Sequence, residues 1–295
     1  RKILAKRIKT LLDQYGVPEF LNKRDAFLFK MYQAFGHHFD FIAIPIIKKR
    51  LRMDTSQVII NEERPQLTKH LATRFKEKIG QNVNLLGEVV LGNEEADHRY
   101  HHYLEALESP DINYISVKIS GIYAQTHALN YEESFPELVS RMSALYQKAI
   151  DFPYTDEDGI KRSKFINLDM EEYKDAHFTL RLFKAVLNLP QFKNYSAGIV
   201  VQAYLPDAYD FQTELLEFAK ARIDGGGAPI KMRLVKGCNL EMETVISSLK
   251  GWPNPIRPSK TEVDANYLCL LERGLMPENA RVLHLGVASH NLFSI

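Results

Sequence analysis

Cationic side chains gather at the carboxyl end of one apolar stretch, Ile230 to Gly237. Apolar residues alternate along it, and Arg233, Lys236 and Gly237 stand at its end, as in a buried strand that meets a ligand. Cations there suit an anion such as a phosphate or a carboxylate, and a glycine lets a bulky ligand approach the backbone closely. For this stretch alone there is an alternative to a ligand site: a buried strand whose cationic side chains simply extend into water.

Other apolar stretches end in polar residues in the same way. The residues at these ends are Glu88, Lys118, Asp169, Gln202 and the triplet Ser289-His290-Asn291. Each alone has a structural explanation, since Asp169 could cap a helix, Lys118 could pair with a nearby acid, and His290 could be a hydrogen-bonded core residue. In a parallel sheet, however, all of these ends lie on one face, which favours a common ligand site.

Strands and helices alternate along most of the chain. The strands are predicted over residues 82–88, 114–120, 164–169, 197–204, 230–237 and 282–291. Helices are predicted over 94–108, 131–150, 171–187, 207–222, 240–249 and 262–273, and this alternation indicates βα units and a parallel sheet. Helices over 2–15, 24–52 and 66–79 predict an N-terminal helical arm, residues 1–80, before the α/β domain, residues 81–295.

The number of predicted strands limits the architecture. A closed (βα)8 barrel takes about 250 residues. Only six strands are predicted in residues 81–295, so the expected fold is a TIM-type barrel truncated after its sixth strand, or else an open sheet. We therefore expect the sequence to be a fragment of a longer natural chain.

Composition excludes several classes of protein. The formal net charge of +1 argues against a nucleic-acid partner. The two cysteines, Cys238 and Cys269, form no CxxC pair and favour a reducing compartment over a disulfide scaffold. His98 and His102 have helical spacing but lack the glutamate of an HExxH zinc motif, so no metal site is expected.

Six motifs follow one another along the chain, at residues 82–92, 116–120, 167–172, 200–204, 233–237 and 288–291. Their order and spacing resemble those of the proline dehydrogenase family. The resemblance runs from Val58 onward and is greatest to the bacterial bifunctional proline utilization A proteins, in which the domain is fused to an aldehyde dehydrogenase. The resemblance implies a flavin-binding (βα)8 barrel that oxidises L-proline to Δ1-pyrroline-5-carboxylate, the first step of proline catabolism to glutamate. It also implies non-covalent FAD as hydride acceptor, a membrane quinone as electron acceptor, and a cytoplasmic protein that can associate peripherally with the inner membrane.

The same resemblance assigns roles to the residues at the strand ends. Lys118 is expected to face the proline site, Asp169 to share its polar network, and Arg233 to reach the flavin N5 region. Residues expected to contact the flavin or its phosphates are Gln202, Arg233, Lys236, Gly237, Lys260, Ser289, His290 and Asn291. Lys118 and Asp169 are further expected to form a desolvated charge pair.

Two features depart from the family pattern. Asn239 stands where many bacterial members have an aromatic residue, which leaves the contacts at that position open. The family binds the proline carboxylate through an arginine pair on its last barrel helix, and the sequence ends before such a helix. We therefore expect neither that carboxylate clamp nor an aldehyde dehydrogenase module in these residues.

Two other functions stay open. A lysine at a barrel strand end also forms the imine of Schiff-base aldolases, which would make Lys118 or Lys236 a nucleophile. A non-catalytic flavin-binding segment is the third hypothesis, and the missing arginine pair is its motivation. Flavin colour and its bleaching by proline would separate the three.

Overall fold

The computed structural model describes residues 2–19, 23–35, 40–55, 64–85, 90, 92–124, 130–289 and 291. The chain divides into two compact units, Arg1–His70 and Leu71–Ile295. The change from helices to alternating strands and helices predicted that the α/β domain begins at residue 81, and that boundary stays a prediction.

The N-terminal unit is helical. Its helices are α1 (Lys2–Tyr15), α2 (Lys23–Phe35) and α3 (Asp40–Thr55), followed by α4 (Arg64–Lys76), which runs on into the second unit. Ala5 and Leu12 of α1 pack with Tyr32 and Ile44 in a small core, because residues spaced by three, four or seven positions share a helix face. The mixed helical region predicted over 24–52 contains most of α2 and most of α3.

A parallel sheet organises the second unit. Its strands are β1 (Val83–Asn84), β2 (Tyr114–Lys118), β5 (Phe165–Asp169), β6 (Gly198–Gln202), β7 (Ile230–Val235) and β8 (Leu283–Val287). Each pairs in parallel with the next, in the order β1-β2-β5-β6-β7-β8. A separate antiparallel hairpin joins β3 (Tyr154–Thr155) and β4 (Lys161–Arg162). This confirms the predicted α/β fold of the TIM-barrel type, with all six predicted strands in it.

Helices connect successive strands of the sheet. They are α5 (Asn93–Glu108), α6 (Ile119–Ile122), α7 (Tyr131–Asp151), α8 (Ala176–Leu187), α9 (Ala208–Asp224), α10 (Leu240–Lys250), α11 (Lys260–Leu275) and α12 (Pro277–Ala280). Helical connections between parallel strands cover such a sheet with helices. Accordingly β6 is buried along its whole length.

Two element boundaries differ from the prediction in a way that affects the site. The second strand ends at Lys118, and the short helix α6 begins at once. The helix predicted from residue 171 begins only at Ala176, after a 3-10 turn over Tyr173–Asp175. Residues 170–172 are therefore outside any helix and can direct their polar groups toward the strand ends.

Strand β7 shows how the pleat positions the cations. Ile230, Met232 and Leu234 are fully buried, whereas the residues between them are half-buried. Because neighbouring side chains of a strand point to opposite faces, Lys231 and Arg233 share the face opposite to this apolar set. The predicted alternation of this strand is confirmed, and it places Arg233 among the less buried positions.

A buried lysine away from the strand ends makes stability depend on pH. Lys164 is 1% exposed and its ammonium donates to the Ser109 carbonyl oxygen at 2.5 Å. Burial lowers the pKa of Lys164 from 10.5 to about 8. Below about pH 8 both states are protonated and the folded state bears the full cost of the buried charge. Between that pH and 10.5 the unfolded chain binds more protons, so this lysine makes the free energy of unfolding rise with pH.

We therefore expect the stability difference between Lys164→Met and wild type to depend on pH. At neutral pH the free energy of unfolding of the variant should exceed that of wild type by the largest amount. This difference should shrink as the pH rises from about 8 toward 10.5. Urea denaturation of both proteins across that range measures the difference, with the exposed Lys161→Met as matched control. A difference that is constant with pH would contradict the prediction.

Candidate active site

The contacts of Arg233 join strands that are not neighbours in the sheet. Strand β6 lies between β5 and β7 in the sheet. The Arg233 guanidinium nevertheless reaches across it, and Nη2 lies 2.5 Å from Asp169 Oδ1. Its Nη1 also donates to Ser116 Oγ on β2 at 3.3 Å. Arg233 thus connects three strands at the carboxyl edge of the sheet.

Asp169 is the buried anion of this network. Its Oδ1 accepts a second hydrogen bond from Asn167 Nδ2 at 2.8 Å. Burial raises the pKa of Asp169, and the opposing influences are the charge of Arg233, hydrogen bonds from Asn167 and Ser116, and the charge of Lys118, in that order. Asp169 does not cap the next helix, because Asp175 occupies the N-cap position of α8. The capping alternative for Asp169 is therefore wrong.

Lys118 has a different partner from the one predicted. Its Nζ lies 3.2 Å from Glu171 Oε1, and it acts on Asp169 only by longer-range attraction. The expected charge pair of Lys118 and Asp169 is therefore not a direct salt bridge, for two physical reasons. The Arg233 guanidinium occupies the Asp169 carboxylate, and the late start of α8 leaves Glu171 within reach of Lys118.

Three residues of this network were missed from the sequence. Ser116 and Asn167 are both fully buried in the middle of strands. A polar residue among buried apolar neighbours is the signal that could have identified them, because such a group needs a hydrogen-bond partner. Glu171 lies in the motif at residues 167–172, but the sequence predicted it as the first residue of a helix, with no role in the site.

Gln202 ties the end of β6 to the loop after β5. Its Nε2 donates to the carbonyl oxygens of Met170 and Glu171 at 3.1 and 3.0 Å. Its Oε1 is buried and accepts no hydrogen bond from the described residues. Asn239, the departure from the family pattern, donates to the same Glu171 carbonyl oxygen at 3.1 Å.

Gly237 is required by a neighbouring ring. Its φ of +137° lies in a region that side-chain-bearing residues rarely adopt. A Cβ atom there would lie 2.1 Å from Cδ1 of Tyr204. The close approach predicted for this glycine is thus made by Tyr204, and a contact with flavin stays a prediction.

Lys236 and Lys260 share one carboxylate. The Nζ of Lys236 lies 2.6 Å from Asp264 Oδ1, and the Nζ of Lys260 lies 2.6 Å from Oδ2. Hydrogen bonds from Lys236 and then Lys260 lower the pKa of Asp264. The three side chains carry one excess positive charge at the start of α11, beside the end of β7.

The last strand end is described only in part. Ser289 Oγ accepts the backbone N–H of Asn291 at 3.0 Å, which closes a turn after β8. His290 and Glu88 lie outside the described residues. The roles expected for Ser289, His290 and Asn291 stay predictions.

Two solved structures resemble the chain over almost its whole length. Proline utilization A from Corynebacterium freiburgense is 36% identical, with a TM-score of 0.76 over 99% of this chain and 26% of that protein. Proline utilization A from Bdellovibrio bacteriovorus, inactivated by N-propargylglycine, is 28% identical, with a TM-score of 0.74 over 99% of this chain and 30% of that protein. The chain thus spans less than a third of the length of either relative.

Among curated protein sequences, none matches the chain. The proline dehydrogenase family model matches residues 67–295, which include every strand of the parallel sheet and every predicted site residue. The chain therefore belongs to the proline dehydrogenase family.

Proposed function

We propose that this chain oxidises L-proline to Δ1-pyrroline-5-carboxylate with FAD as cofactor, the first step of proline catabolism to glutamate. The observation that carries the proposal is the Arg233–Asp169 pair at the carboxyl edge of the sheet, in a chain of the proline dehydrogenase family. That edge is where α/β enzymes bind their substrates.

The polar groups at this edge fit a flavin. Gln202 Oε1 is a buried acceptor without a donor among the described residues, and a flavin ring carries both N–H donors and carbonyl acceptors. A buried amide oxygen left unpaired costs stability, so a donor from a ligand would be favourable. Arg233 supplies guanidinium N–H groups on the same side of the sheet. Together these residues would hold the ring, and we assign Gln202 and Arg233 to that role.

A second group of residues suits the phosphates of FAD. Lys236 and Lys260, with Asp264 between them, form a cluster with excess positive charge next to the end of β7. Lysine is a common phosphate ligand because its ammonium acts as a compact point charge. We assign the diphosphate to this cluster, with Gly237, Ser289, His290 and Asn291 as further cofactor contacts.

The chemistry defines what the protein must supply. Converting the C–N bond of proline to C=N removes a hydride from the ring carbon next to nitrogen and a proton from the nitrogen. FAD, when bound, supplies the acceptor for the two electrons of the hydride. Arg233 places positive charge where negative charge develops, and Asp169 fixes the guanidinium in advance, so that little reorganisation is needed during the reaction.

Lys118 is assigned to the substrate. Its ammonium lies at the end of β2, half-buried, on the same edge of the sheet as Arg233. An amino-acid substrate presents a carboxylate, for which an ammonium is a charge-assisted hydrogen-bond donor. Lys118 is therefore proposed to face the proline carboxylate.

Partners and location follow from the same proposal. Electrons would pass from the flavin to a membrane quinone, and an aldehyde dehydrogenase module, fused or separate, would use the product. Among the described residues no helix is long and apolar enough to cross a bilayer. Both cysteines are free, in keeping with a reducing compartment, and we propose a cytoplasmic protein with peripheral contact to the inner membrane.

The aldolase hypothesis is less favoured. A Schiff-base lysine has to attack as a free amine, whereas Lys118 and Lys236 are both held in salt bridges. The non-catalytic hypothesis would use the same flavin contacts, but it gives the Arg233–Asp169 pair no part in a reaction.

Anaerobic titration of the flavin-loaded full chain with L-proline tests the proposed function. We expect the flavin absorbance to bleach while Δ1-pyrroline-5-carboxylate forms in equal amount. Flavin that binds without bleaching would support the non-catalytic segment instead. Trapping of a carbonyl substrate on Lys118 or Lys236 by borohydride would support the aldolase, and either result would overturn the proposal.

A further inference from the structure

Glu171 receives contacts from several elements at the carboxyl edge of the sheet. Its Oε1 pairs with Lys118 at the end of β2, and its Oε2 accepts from Ser120 Oγ on α6 at 2.5 Å. Its carbonyl oxygen accepts from Gln202 at the end of β6 and from Asn239 after β7. Side chain and backbone of one residue therefore join three of the strand ends that the proposed function uses.

These contacts divide into two sets with different consequences. Gln202 and Asn239 bind the backbone of Glu171, so they fix the loop whatever side chain stands there. The carboxylate itself contacts Lys118 and Ser120, which belong to one continuous segment at the end of β2. A substitution of Glu171 thus changes the surroundings of Lys118 and leaves the backbone anchors of the loop in place.

The carboxylate restricts a long and otherwise flexible side chain. A lysine has four side-chain rotatable bonds, and ordering its ammonium costs entropy that a ligand would otherwise have to offset. The side chains of Lys118 and Glu171 are 37% and 22% exposed, so their attraction is screened less than that of a fully exposed pair. Ser120 holds the other carboxylate oxygen and so fixes the direction from which Glu171 approaches Lys118.

We propose that Glu171 is a positioning residue that orders the Lys118 ammonium toward the carboxylate of the amino-acid substrate. The inference rests on the proposed function and deepens it, because it assigns Glu171 to substrate affinity and not to hydride transfer. Glu171 acts through Lys118, whereas Arg233 and Asp169 serve the reacting centre. The roles of the two salt bridges at this edge are therefore separate.

Steady-state kinetics of Glu171→Ala in the full chain is the first test. We expect KM for L-proline to rise about tenfold, the effect of losing one oriented charge contact, while kcat stays nearly unchanged. Glu172→Ala is the matched control, because the adjacent Glu172 pairs with Lys174 and has no contact with Lys118. A fall in kcat at constant KM would overturn the proposal, as would an equal effect of the control.

A double-variant cycle separates positioning from general structural damage. If Glu171 acts through Lys118, Glu171→Ala should not raise KM further once Lys118→Met is present, because residues that act on each other are non-additive. Structural damage would raise KM by the same factor in both backgrounds. Additive effects would overturn the proposal.

A labelling experiment keeps the inference separate from the proposed activity. Trace acylation followed by peptide mass spectrometry reports how readily the Lys118 amine reacts, with the exposed Lys161 as internal reference. We expect Lys118 to label about threefold faster in Glu171→Ala, the scale of a partly exposed salt bridge. Unchanged labelling would overturn the proposal. If wild type does not oxidise proline, the proposed function fails, and labelling still decides whether Glu171 orders Lys118.

Discussion

Replacing Arg233 by methionine is expected to slow the reduction of bound flavin by L-proline by about 10²- to 10³-fold, the loss typical of one preorganised charge-stabilising donor. Methionine keeps most of the apolar length of the side chain and removes its charge. The same substitution should make the midpoint potential of the flavin more negative, because the reduced, more negatively charged form loses a cation beside it. Anaerobic stopped-flow reduction and redox titration measure the two effects.

A control on the same strand separates this effect from general damage. Lys231 lies two residues before Arg233 on the same face of β7, with its Nζ 5.5 Å from the ring of Phe165. Lys231→Met removes an equal charge farther from the carboxyl edge and should leave rate and potential unchanged. The flavin content of each variant has to be measured, so that slow reduction is not confused with lost cofactor. Wild-type rate and potential in Arg233→Met would contradict the assigned role.

The sequence predicted which residues lie at the active edge because parallel strands share one polarity. A polar residue at the end of each apolar run must then lie at the same edge, and Lys118, Asp169, Gln202 and Arg233 do so. The hydrophobic alternation of β7 also predicted the face on which Arg233 points. These predictions needed only strand period and direction, which are local properties.

The pairing of those residues could not be predicted in the same way. Asp169 could have paired with Lys118 on the neighbouring strand or with Arg233 two strands away, and its carboxylate pairs with Arg233. Lys118 then paired with Glu171, which depended on where α8 begins. Helix starts are the least certain feature of a sequence-based prediction when no side-chain cap marks them, and Asp175 makes no such capping bond.

The β3–β4 hairpin was missed for a different reason. Its strands have two residues each, too few to show any alternation of apolar and polar positions. The hairpin depends instead on a turn, in which Asp156 accepts the backbone N–H groups of Asp158 and Ile160 at 3.0 and 2.8 Å. Gly159 completes the turn with a φ of +76°. Asp156 and Gly159 are typical turn residues, and their spacing is the local signal for this hairpin.

Far from the active edge, a buried arginine connects the ends of several elements. Arg222 in the last turn of α9 is 9% exposed, and its guanidinium donates to backbone carbonyl oxygens of the described residues. The acceptors belong to Leu187, Phe192, Lys193, Tyr195 and Ala228. Leu187 is the last residue of α8, where a cation is also favoured by the helix dipole. Arg222 thus supplies donors to a loop that precedes β6 and to one that precedes β7.

Arg222→Met is expected to lower the free energy of unfolding by about 3–5 kcal/mol, because several buried carbonyl oxygens lose a charged donor at once. Urea denaturation with an unchanged m-value measures the loss. The free energy of unfolding of Arg222→Lys should lie between those of Arg222→Met and wild type, since an ammonium has three donors and cannot reproduce the planar guanidinium geometry. Arg181→Met is the matched control, because Arg181 pairs with Glu132 on the surface. This substitution should lower the free energy of unfolding much less than Arg222→Met does. Equal stability of the two methionine variants would show that water or other donors satisfy these carbonyl oxygens, and that the arginine is not what connects the two loops.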